Sequence, residues 1–397
     1  GDRKIDEVLV SVFRGPKSFT GEDTAEISCH GGTAVVNSIF NLLLKSGFRQ
    51  AQRGEYTFRA YINGKADLTK AEAVREIIES RTDTSRGRAA GRLAGSLFEE
   101  IASIKKLVID TLASIEVEIE YPEDEETIAD AFNRDGIVNA IERLKSLSES
   151  WKSEKLYQDG ARIVLCGKTN AGKSSLFNAM LKEDRAIVSD IEGTTRDWLE
   201  SWISVDGIPV RLFDTAGLRV TDDLVEKAGV ERTHDLSEEA DAILYLQDAT
   251  KEIVAEDLSF FKSFSKPVIF IWNKIDMLES GCAEDKADSG AVWNCAEKKL
   301  SDDEKELIPA MKCEVGISAG KSFGIENLIK ELKEILCAGN LSLREQAGLG
   351  SARQKTAVGN ALECAEHALI AADDNYTLDA VVQDLEDCLD YLGEVTG

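Results

Sequence analysis

The sequence has little from which a histidine metal centre or a membrane anchor could be built. Only three of its 397 residues are histidine, so a metal site made of imidazole ligands is not expected. No run approaches the roughly 18 consecutive apolar residues of a membrane-spanning helix, and the first residues show no charged-then-apolar signal segment. These absences predict a soluble, cytoplasmic protein with no membrane partner.

Paired cysteines are also lacking. The eight cysteines include no C-x-x-C pair, which is the usual spacing of zinc and redox sites. Cys166 and Cys364 lie in apolar, periodic segments. We therefore interpret the cysteines as reduced structural thiols rather than as disulfides or zinc ligands.

Basic residues are far fewer than acidic residues. The chain has 47 basic and 73 acidic residues, for a net charge of −26, which argues against broad, non-specific binding to nucleic acid. The stretch from Arg49 to Arg92 is the exception, because basic residues recur along it. Two interpretations remain open: a local RNA contact, or a solvated helix face with i,i+4 ion pairs.

What the chain does contain is a phosphate-binding loop. Residues 167–174 read Gly-Lys-Thr-Asn-Ala-Gly-Lys-Ser, the pattern G-x-x-x-x-G-K-S, between the apolar strand Arg162–Cys166 and a helical run. Glycines allow backbone N–H groups to surround an anion. The pattern predicts that Lys173 faces the β- and γ-phosphates and that Ser174 holds Mg²⁺.

Four later segments favour GTP over ATP. An Asp at a strand end can reach Mg²⁺ through water, a mobile Thr can reach the metal, and an Asn-Lys-x-Asp carboxylate can accept two hydrogen bonds from guanine. Adenine offers no such pair of donors. The Thr lies in Gly193–Asp197 and the strand-end Asp in Asp214–Gly217. Asn273–Asp276 closes the apolar strand predicted over Val268–Trp272, and Ile317–Ala319 completes the predicted base-contacting set.

The order of the segments predicts an insertion. A small α/β unit comes first, helices with apolar stripes follow from about Lys65, and helices resume after the nucleotide-binding part. The predicted fold is α/β plus all-α, with a P-loop GTPase domain inserted into a helical domain. The predicted boundaries are 1–62, 63–159, 160–338 and 339–397. The polar stretch from Gly281 to Lys305 is interpreted as a surface excursion.

Further motifs resemble those of one family. They are Pro16–Asp23, Cys29–Gly32, Gly54–Ala60 and Asn63–Leu68 near the start, with the phosphate loop and Asp190–Asp197 later in the chain. Together they resemble the MnmE family of tRNA-modification GTPases over nearly the whole chain.

The resemblance implies a homodimer that works with an FAD-binding, MnmG-like partner. It implies that a carboxymethylaminomethyl-type group is added to the wobble uridine of certain tRNAs, with the one-carbon unit carried by 5-formyl- or methylene-tetrahydrofolate. Glu26 and Lys65 are the implied folate contacts. The N-terminal part would then serve dimerisation and folate binding.

The resemblance also implies how GTP is hydrolysed. Leu218 stands where many GTPases have a water-orienting Gln, and alignment with the family selects Glu226, acting through water, as the catalytic residue. K⁺ takes the place of an arginine finger, with Asn170, Ser189, Ile191 and Thr194 as its ligands, and Ser174 and Thr195 hold Mg²⁺. The remaining nucleotide contacts are Ala171, Gly172, Lys173, Ser175, Asp190, Glu192, Gly193, Asp214, Thr215, Ala216, Gly217, Asn273, Lys274, Asp276, Ser318, Ala319 and Gly320.

Some features depart from the family pattern. The chain opens in what resembles mid-domain and ends without the family's cysteine-containing tail, so we expect GTP hydrolysis to be retained more readily than tRNA modification. Ser189 stands where Thr is common, and Glu200 where some relatives are basic. Two alternatives stay open: a ribosome-assembly GTPase, and a nucleotide-gated dimeric scaffold without folate chemistry.

Overall fold

The chain folds into two compact units. The computed structural model describes residues 4–120, 132–181, 199–214, 239–253, 261, 266–278, 299–337, 348–374 and 378–397. Residues Gly1–Ile78, Arg88–Trp151 and Gln346–Gly397 form the first unit, and Glu79–Gly87 and Lys152–Glu345 form the second. The predicted division into four parts stays a prediction.

The first unit begins with a small α/β segment. Strands β1 (Leu9–Phe13) and β2 (Thr24–Ser28) pair antiparallel, and helices α1 (Thr33–Lys45) and α2 (Glu55–Ile62) follow. Between β2 and α1, the backbone N and Nδ1 of His30 both bond to the carboxylate of Asp6. This pair of contacts ties the turn that leads into α1 to the segment before β1.

Helices make up the rest of the described part of the first unit. Their bounds are α3 (Leu68–Glu79), α4 (Asp83–Ala94), α5 (Ser96–Glu120), α6 (Arg134–Asp159), α10 (Ala352–Asp373) and α11 (Leu378–Thr396). Residue 79 of α3, residues 83–87 of α4 and residues 152–159 of α6 belong to the second unit. Among the residues described, no helix is both long enough and apolar enough to cross a membrane.

Helical spacing explains the core of the first unit. Leu97, Ile101, Ile104 and Val108 recur every three or four residues of α5 and are fully buried. Helix α10 instead buries a row of small residues, which lets the backbone of α11 approach closely. That row is Ala357, Ala361, Ala365 and Ala368. The predicted inward-facing stripes are therefore confirmed.

A six-stranded sheet forms the second unit. The strands are β3 (Ala161–Gly167), β4 (Leu199–Val205), β5 (Ile208–Asp214), β6 (Ala242–Asp248), β7 (Val268–Asn273) and β8 (Met311–Gly316). Their spatial order is β4-β5-β3-β6-β7-β8. Among these described strands, only β4 and β5 pair antiparallel. The carboxyl ends of the parallel strands therefore meet at one edge, where ligands bind in open α/β sheets.

Helices cover the sheet and complete its core. They are α7 (Lys173–Leu181), α8 (Asp302–Glu306) and α9 (Ile325–Cys337). Every residue of β6 and β7 is buried, as expected for parallel strands covered on both faces. The fold matches the predicted P-loop domain with helices around it.

One part of the predicted surface excursion belongs to the core. Leu300 is only 2% exposed and packs in the cluster that contains Phe270 and Trp272. Ser301 then caps α8, because its hydroxyl accepts from the backbone N of Glu304 while the Glu304 carboxylate accepts from the backbone N of Ser301. The predicted surface excursion is therefore wrong for Leu300, whereas Ser301, Asp302 and Asp303 are exposed as predicted. Residues 281–298 lie outside the described residues.

Candidate functional site

The loop between β3 and α7 is shaped by two glycines that leave no room for a side chain. Gly167 has a φ of 142° and Gly172 a φ of 98°, a region that L side chains rarely adopt. An added Cβ would lie 2.3 Å from the carbonyl oxygen of Leu246 at position 167 and 2.1 Å from Nδ2 of Asn273 at position 172. Backbone groups therefore line the loop, as an anion-binding concavity requires.

Lys173 lies at the start of α7 and turns back into this loop. Its Nζ donates to the carbonyl oxygen of Gly167 at 2.6 Å and to that of Lys168 at 2.9 Å, and the residue is only 8% exposed. The positive end of the helix and a buried ammonium thus converge on the same concavity. The arrangement suits a multiply charged anion such as a nucleotide phosphate.

Asn273 joins the phosphate loop to the segment after β8. It is 2% exposed, its Nδ2 donates to the carbonyl oxygen of Ala171 at 2.8 Å, and its Oδ1 accepts from the backbone N of Ala319 at 3.0 Å. Both functional groups of the amide are therefore used within the protein. The structure brings three predicted segments together through this one side chain.

The segment 318–320 is a tight turn held by its own backbone. Ser318 and Phe323 exchange hydrogen bonds of 3.0 and 3.1 Å between their backbone N and O atoms. Ser318 and Ala319 are buried, whereas Gly320 is exposed. Across the loop, the predicted contacts Ser174 and Ser175 are also exposed, on the first turn of α7.

Lys274 and Asp276 follow β7 at the same sheet edge. Nζ of Lys274 donates to the carbonyl oxygen of Asn170 at 2.9 Å, so a second contact ties this segment to the phosphate loop. Asp276 lies in the short 3₁₀ turn Ile275–Met277, and its Oδ2 is 3.7 Å from Nζ of Lys321. A long ion pair to an exposed lysine leaves this carboxylate able to exchange partners.

Sequence reasoning missed Asp248, which is buried at the end of β6. Its Oδ2 accepts from Nζ of Lys274 at 2.6 Å, and its Oδ1 accepts from the hydroxyl of Thr250 at 2.7 Å. Burial raises the pKa of Asp248, but the hydrogen bonds from Lys274 and Thr250 outweigh burial, and the pKa lies below its usual range. An Asp ending an apolar run is the signal that could have found it.

Several predicted residues lie outside the described part of the chain. They are Ser189, Asp190, Ile191, Glu192, Gly193, Thr194, Thr195, Thr215, Ala216, Gly217 and Glu226. Asp214 is the last residue of β5, and its backbone pairs with Leu165 of β3, just before the phosphate loop. Its predicted role toward Mg²⁺ stays a prediction.

The two implied folate contacts lie in the first unit. Glu26 is exposed on β2, opposite Ser11, and Lys65 is exposed beyond α2, where its backbone N donates to the carbonyl oxygen of Ala60. A separate cavity of about 670 Å³ lies in this unit. Its lining includes Arg49, Arg53, Glu55, Phe58, Arg59 and Ile62, and neither Glu26 nor Lys65.

The basic stretch from Arg49 to Arg92 is largely engaged in structural contacts. Arg59 pairs with Glu22 and Glu55. Arg92 is 3% exposed and pairs with Glu76 at 2.5 Å. Further contacts of this kind join Lys70 to Asp67, Arg86 to Asp83 and Arg81 to the ring of Trp202. These pairs engage several of the basic side chains within the protein. Buried Arg92 does not belong to a solvated face, and for the exposed residues both interpretations, a local RNA contact and a solvated helix face, stay predictions.

Comparisons with known proteins cover the whole chain. The model of the MnmE helical domain matches residues 68–397, and the model of the GTP-binding protein TrmE N-terminus matches residues 1–65. The tRNA modification GTPase MnmE of Treponema denticola is 49% identical over 100% of this chain and 82% of its own length. That of Treponema pallidum (strain Nichols) is 38% identical over 100% of this chain and 83% of its own length.

A solved structure also matches part of the chain. The crystal structure of a variant of Aquifex aeolicus Era bound to GDP.AlF4- is 25% identical, with a TM-score of 0.31, over 51% of this chain and 66% of that chain. A TM-score this low supports no conclusion about this chain.

Proposed function

This chain belongs to the MnmE family of tRNA modification GTPases and is a GTP hydrolase, and from that premise we propose a K⁺-dependent mechanism in the service of tRNA wobble-uridine modification. The observation that carries the nucleotide-binding part of the proposal is the buried Lys173 ammonium inside a glycine-shaped loop, which Asn273 and Lys274 join to the predicted base-contacting segments. The K⁺ requirement and the modification chemistry are proposed on the family resemblance. The family assignment favours tRNA modification over ribosome assembly.

Binding of GTP would begin with the groups that are already in place. The ammonium of Lys173 donates to two backbone carbonyl oxygens of the loop, and it can turn from them to the β- and γ-phosphates and neutralise their charge. The carboxylate of Asp276 would accept hydrogen bonds from the N1–H and the N2 amino group of guanine. These bonds would replace its ion pair with Lys321. Asn273 would keep the phosphate loop and the segment after β8 in fixed relative positions.

Residues of the phosphate loop and its neighbouring strand are the proposed ligands of the two cations that the family implies. Ser174 is exposed on the first turn of α7, and Asp214 ends the neighbouring strand, which suits an oxygen-ligated Mg²⁺. Asn170 is exposed in the loop, with a φ of 62°, and its side-chain oxygen would be a ligand of K⁺. K⁺ would supply positive charge beside the transferring phosphoryl group. Glu226 would orient the attacking water, and the segment Ser189–Thr194 would complete the cation's ligands.

The modification chemistry is proposed on the family resemblance. An FAD-binding partner, tRNA and a tetrahydrofolate would be required. Glu26 and Lys65 would contact the folate. Exposed apolar side chains in the first unit, among them Leu9, Val12 and Phe58, which are 60% exposed or more, support a homodimer that covers them. The second copy would also bring two GTPase domains together and order the K⁺ site.

Removing the side-chain oxygen of Asn170 tests the K⁺ proposal. Asn170→Gly is expected to lose most of the stimulation of GTP turnover by KCl over NaCl, because one oxygen ligand is gone. Glycine adopts a φ of 62° without strain, so the loop keeps its shape. Asn170→Asp keeps an oxygen at the same place and is the matched control, expected to retain the stimulation. Equal KCl-to-NaCl rate ratios in the Gly variant and the unaltered chain would contradict the assignment.

A further inference from the structure

Asp248 is a buried carboxylate with a partner for each oxygen. It is 5% exposed and stands opposite Asn273 in the last register pair of β6 and β7. Oδ2 accepts from Nζ of Lys274 at 2.6 Å, and Oδ1 accepts from the hydroxyl and the backbone N of Thr250 at 2.7 and 3.0 Å. A buried charge is tolerated only with such pairing. The carboxylate is therefore fixed and aimed at Lys274.

Lys274 is the residue that this carboxylate holds. Its ammonium bridges Oδ2 of Asp248 and the carbonyl oxygen of Asn170 in the phosphate loop. A lysine side chain loses considerable rotamer freedom when it is fixed. Its backbone has a φ of 64°, an unfavourable region for a residue with a side chain. The counter-charge of Asp248 offsets these costs and stabilises the bridge.

We propose that Asp248 is a positioning residue for guanine-nucleotide binding, which acts by holding Lys274 against the phosphate loop. The bridge would preform the phosphate-binding and base-contacting segments as one site, and preformed sites bind more tightly because less freedom is lost on binding. The inference rests on the proposed binding of a guanine nucleotide at this sheet edge. It assigns no contact between Asp248 and the nucleotide itself.

Replacing the carboxylate with an amide tests the inference. Asp248→Asn keeps the shape and the acceptor for Thr250 but loses the charge that holds Lys274. The Kd for GDP, from titration calorimetry, is expected to rise about tenfold, since hydrogen bonds to charged groups are the stronger ones. In steady-state hydrolysis, KM for GTP is expected to rise while kcat stays near its original value. Loss of folded protein would instead lower the apparent kcat at an unchanged KM.

The control comes from the other end of the same strand. Asp241 precedes β6, is exposed, and accepts from the backbone N of Arg162 at 2.8 Å. Asp241→Asn makes the same chemical change far from the sheet edge that binds the ligand. It is expected to leave the Kd for GDP unchanged. Thermal unfolding of both variants without nucleotide measures any general loss of stability.

A double-variant cycle decides whether Asp248 acts through Lys274. If it does, Asp248→Asn adds no further loss of affinity once Lys274→Met is present. Additive losses, or an unchanged Kd in Asp248→Asn alone, would overturn the inference. If Asp248→Asn does not fold, Lys274→Arg and Lys274→Met carry the test. Arg keeps the ion pair and is expected to bind GDP better than Met, whereas equal losses would overturn the inference.

Asp276→Asn separates this inference from the proposed function. If that variant binds GDP as well as the unaltered chain does, the proposed guanine contact fails, whatever Asp248→Asn shows. If Asp276→Asn weakens binding and Asp248→Asn does not, only the positioning role fails. If Asp248→Asn alone weakens binding, the preformed bridge is supported without the guanine contact.

Discussion

Replacing Lys173 by methionine is expected to lower kcat for GTP hydrolysis by about 10²- to 10³-fold. Methionine keeps the apolar stem but removes the buried ammonium that lies inside the phosphate loop, 2.6 Å from the carbonyl oxygen of Gly167. Negative charge on the γ-phosphoryl group must be stabilised in the transition state of its transfer. Losing one preorganised donor commonly lowers kcat by this factor. Single-turnover hydrolysis of saturating GTP measures the loss in the chemical step.

Lys168→Met is the matched control for this prediction. Lys168 lies in the same loop, but it is exposed, and its backbone carbonyl oxygen rather than its side chain contacts Lys173. The control removes the same charge from nearly the same position without removing the inward-facing ammonium. We expect it to stay within about threefold of the original kcat, as exposed charges contribute little. Comparable losses in both variants would show that overall loop charge, rather than Lys173, governs the rate.

Asp276→Asn is expected to exchange guanine for xanthine. The carboxylate can accept two hydrogen bonds from guanine, whereas an amide presents an N–H₂ group to the 2-amino group and leaves buried donors unpaired. We expect kcat/KM for GTP to fall at least about 10²-fold, within the range seen when a hydrogen-bonding site loses its match. Xanthine carries a carbonyl at the same position, so XTP is expected to become the better substrate. Competition between GTP and XTP in one reaction measures the ratio directly.

Lys321→Met distinguishes loss of the base contact from loss of local charge balance. Its Nζ lies 3.7 Å from Oδ2 of Asp276, and its side chain is 66% exposed. Removing this ammonium takes away a counter-charge of the Asp276 carboxylate but leaves both of its hydrogen-bond-accepting oxygens in place. We expect less than about a threefold change in kcat/KM for GTP. An unchanged preference for GTP over XTP in Asp276→Asn would contradict the guanine assignment.

Local patterns predicted most of the sheet edge correctly. The strand predicted over Arg162–Cys166 is observed as Ala161–Gly167, and that predicted over Val268–Trp272 as Val268–Asn273. Both are apolar runs that end in a motif with strong sequence constraints, so the strand and the loop support one another. The same motifs named Lys173, Asn273 and Lys274, which the structure brings together at this edge, and their roles toward a nucleotide stay predictions.

The contacts that assemble the site could not be predicted from local pattern. Asn273 reaches Ala171 across 102 residues of sequence, and Asp248 reaches Lys274 between two neighbouring strands. Strand β6 is an entirely buried run of seven residues. Periodicity does not separate such a run from a buried helix, so the strand was not predicted, and Asp248 was not recognised as a residue of the sheet edge. Leu300 was predicted to lie on the surface because a single apolar residue in an acidic stretch gives no periodic pattern.

The rate of GTP turnover in matched KCl and NaCl tests the proposed mechanism most directly. The chain with its own sequence and Glu226→Ala are compared at equal ionic strength and protein concentration. The account predicts faster turnover in KCl for the unaltered chain and no such difference in Glu226→Ala, because the ordered K⁺ site serves a water that this residue orients. Equal rates in the two salts, or an unimpaired Glu226→Ala, would contradict it.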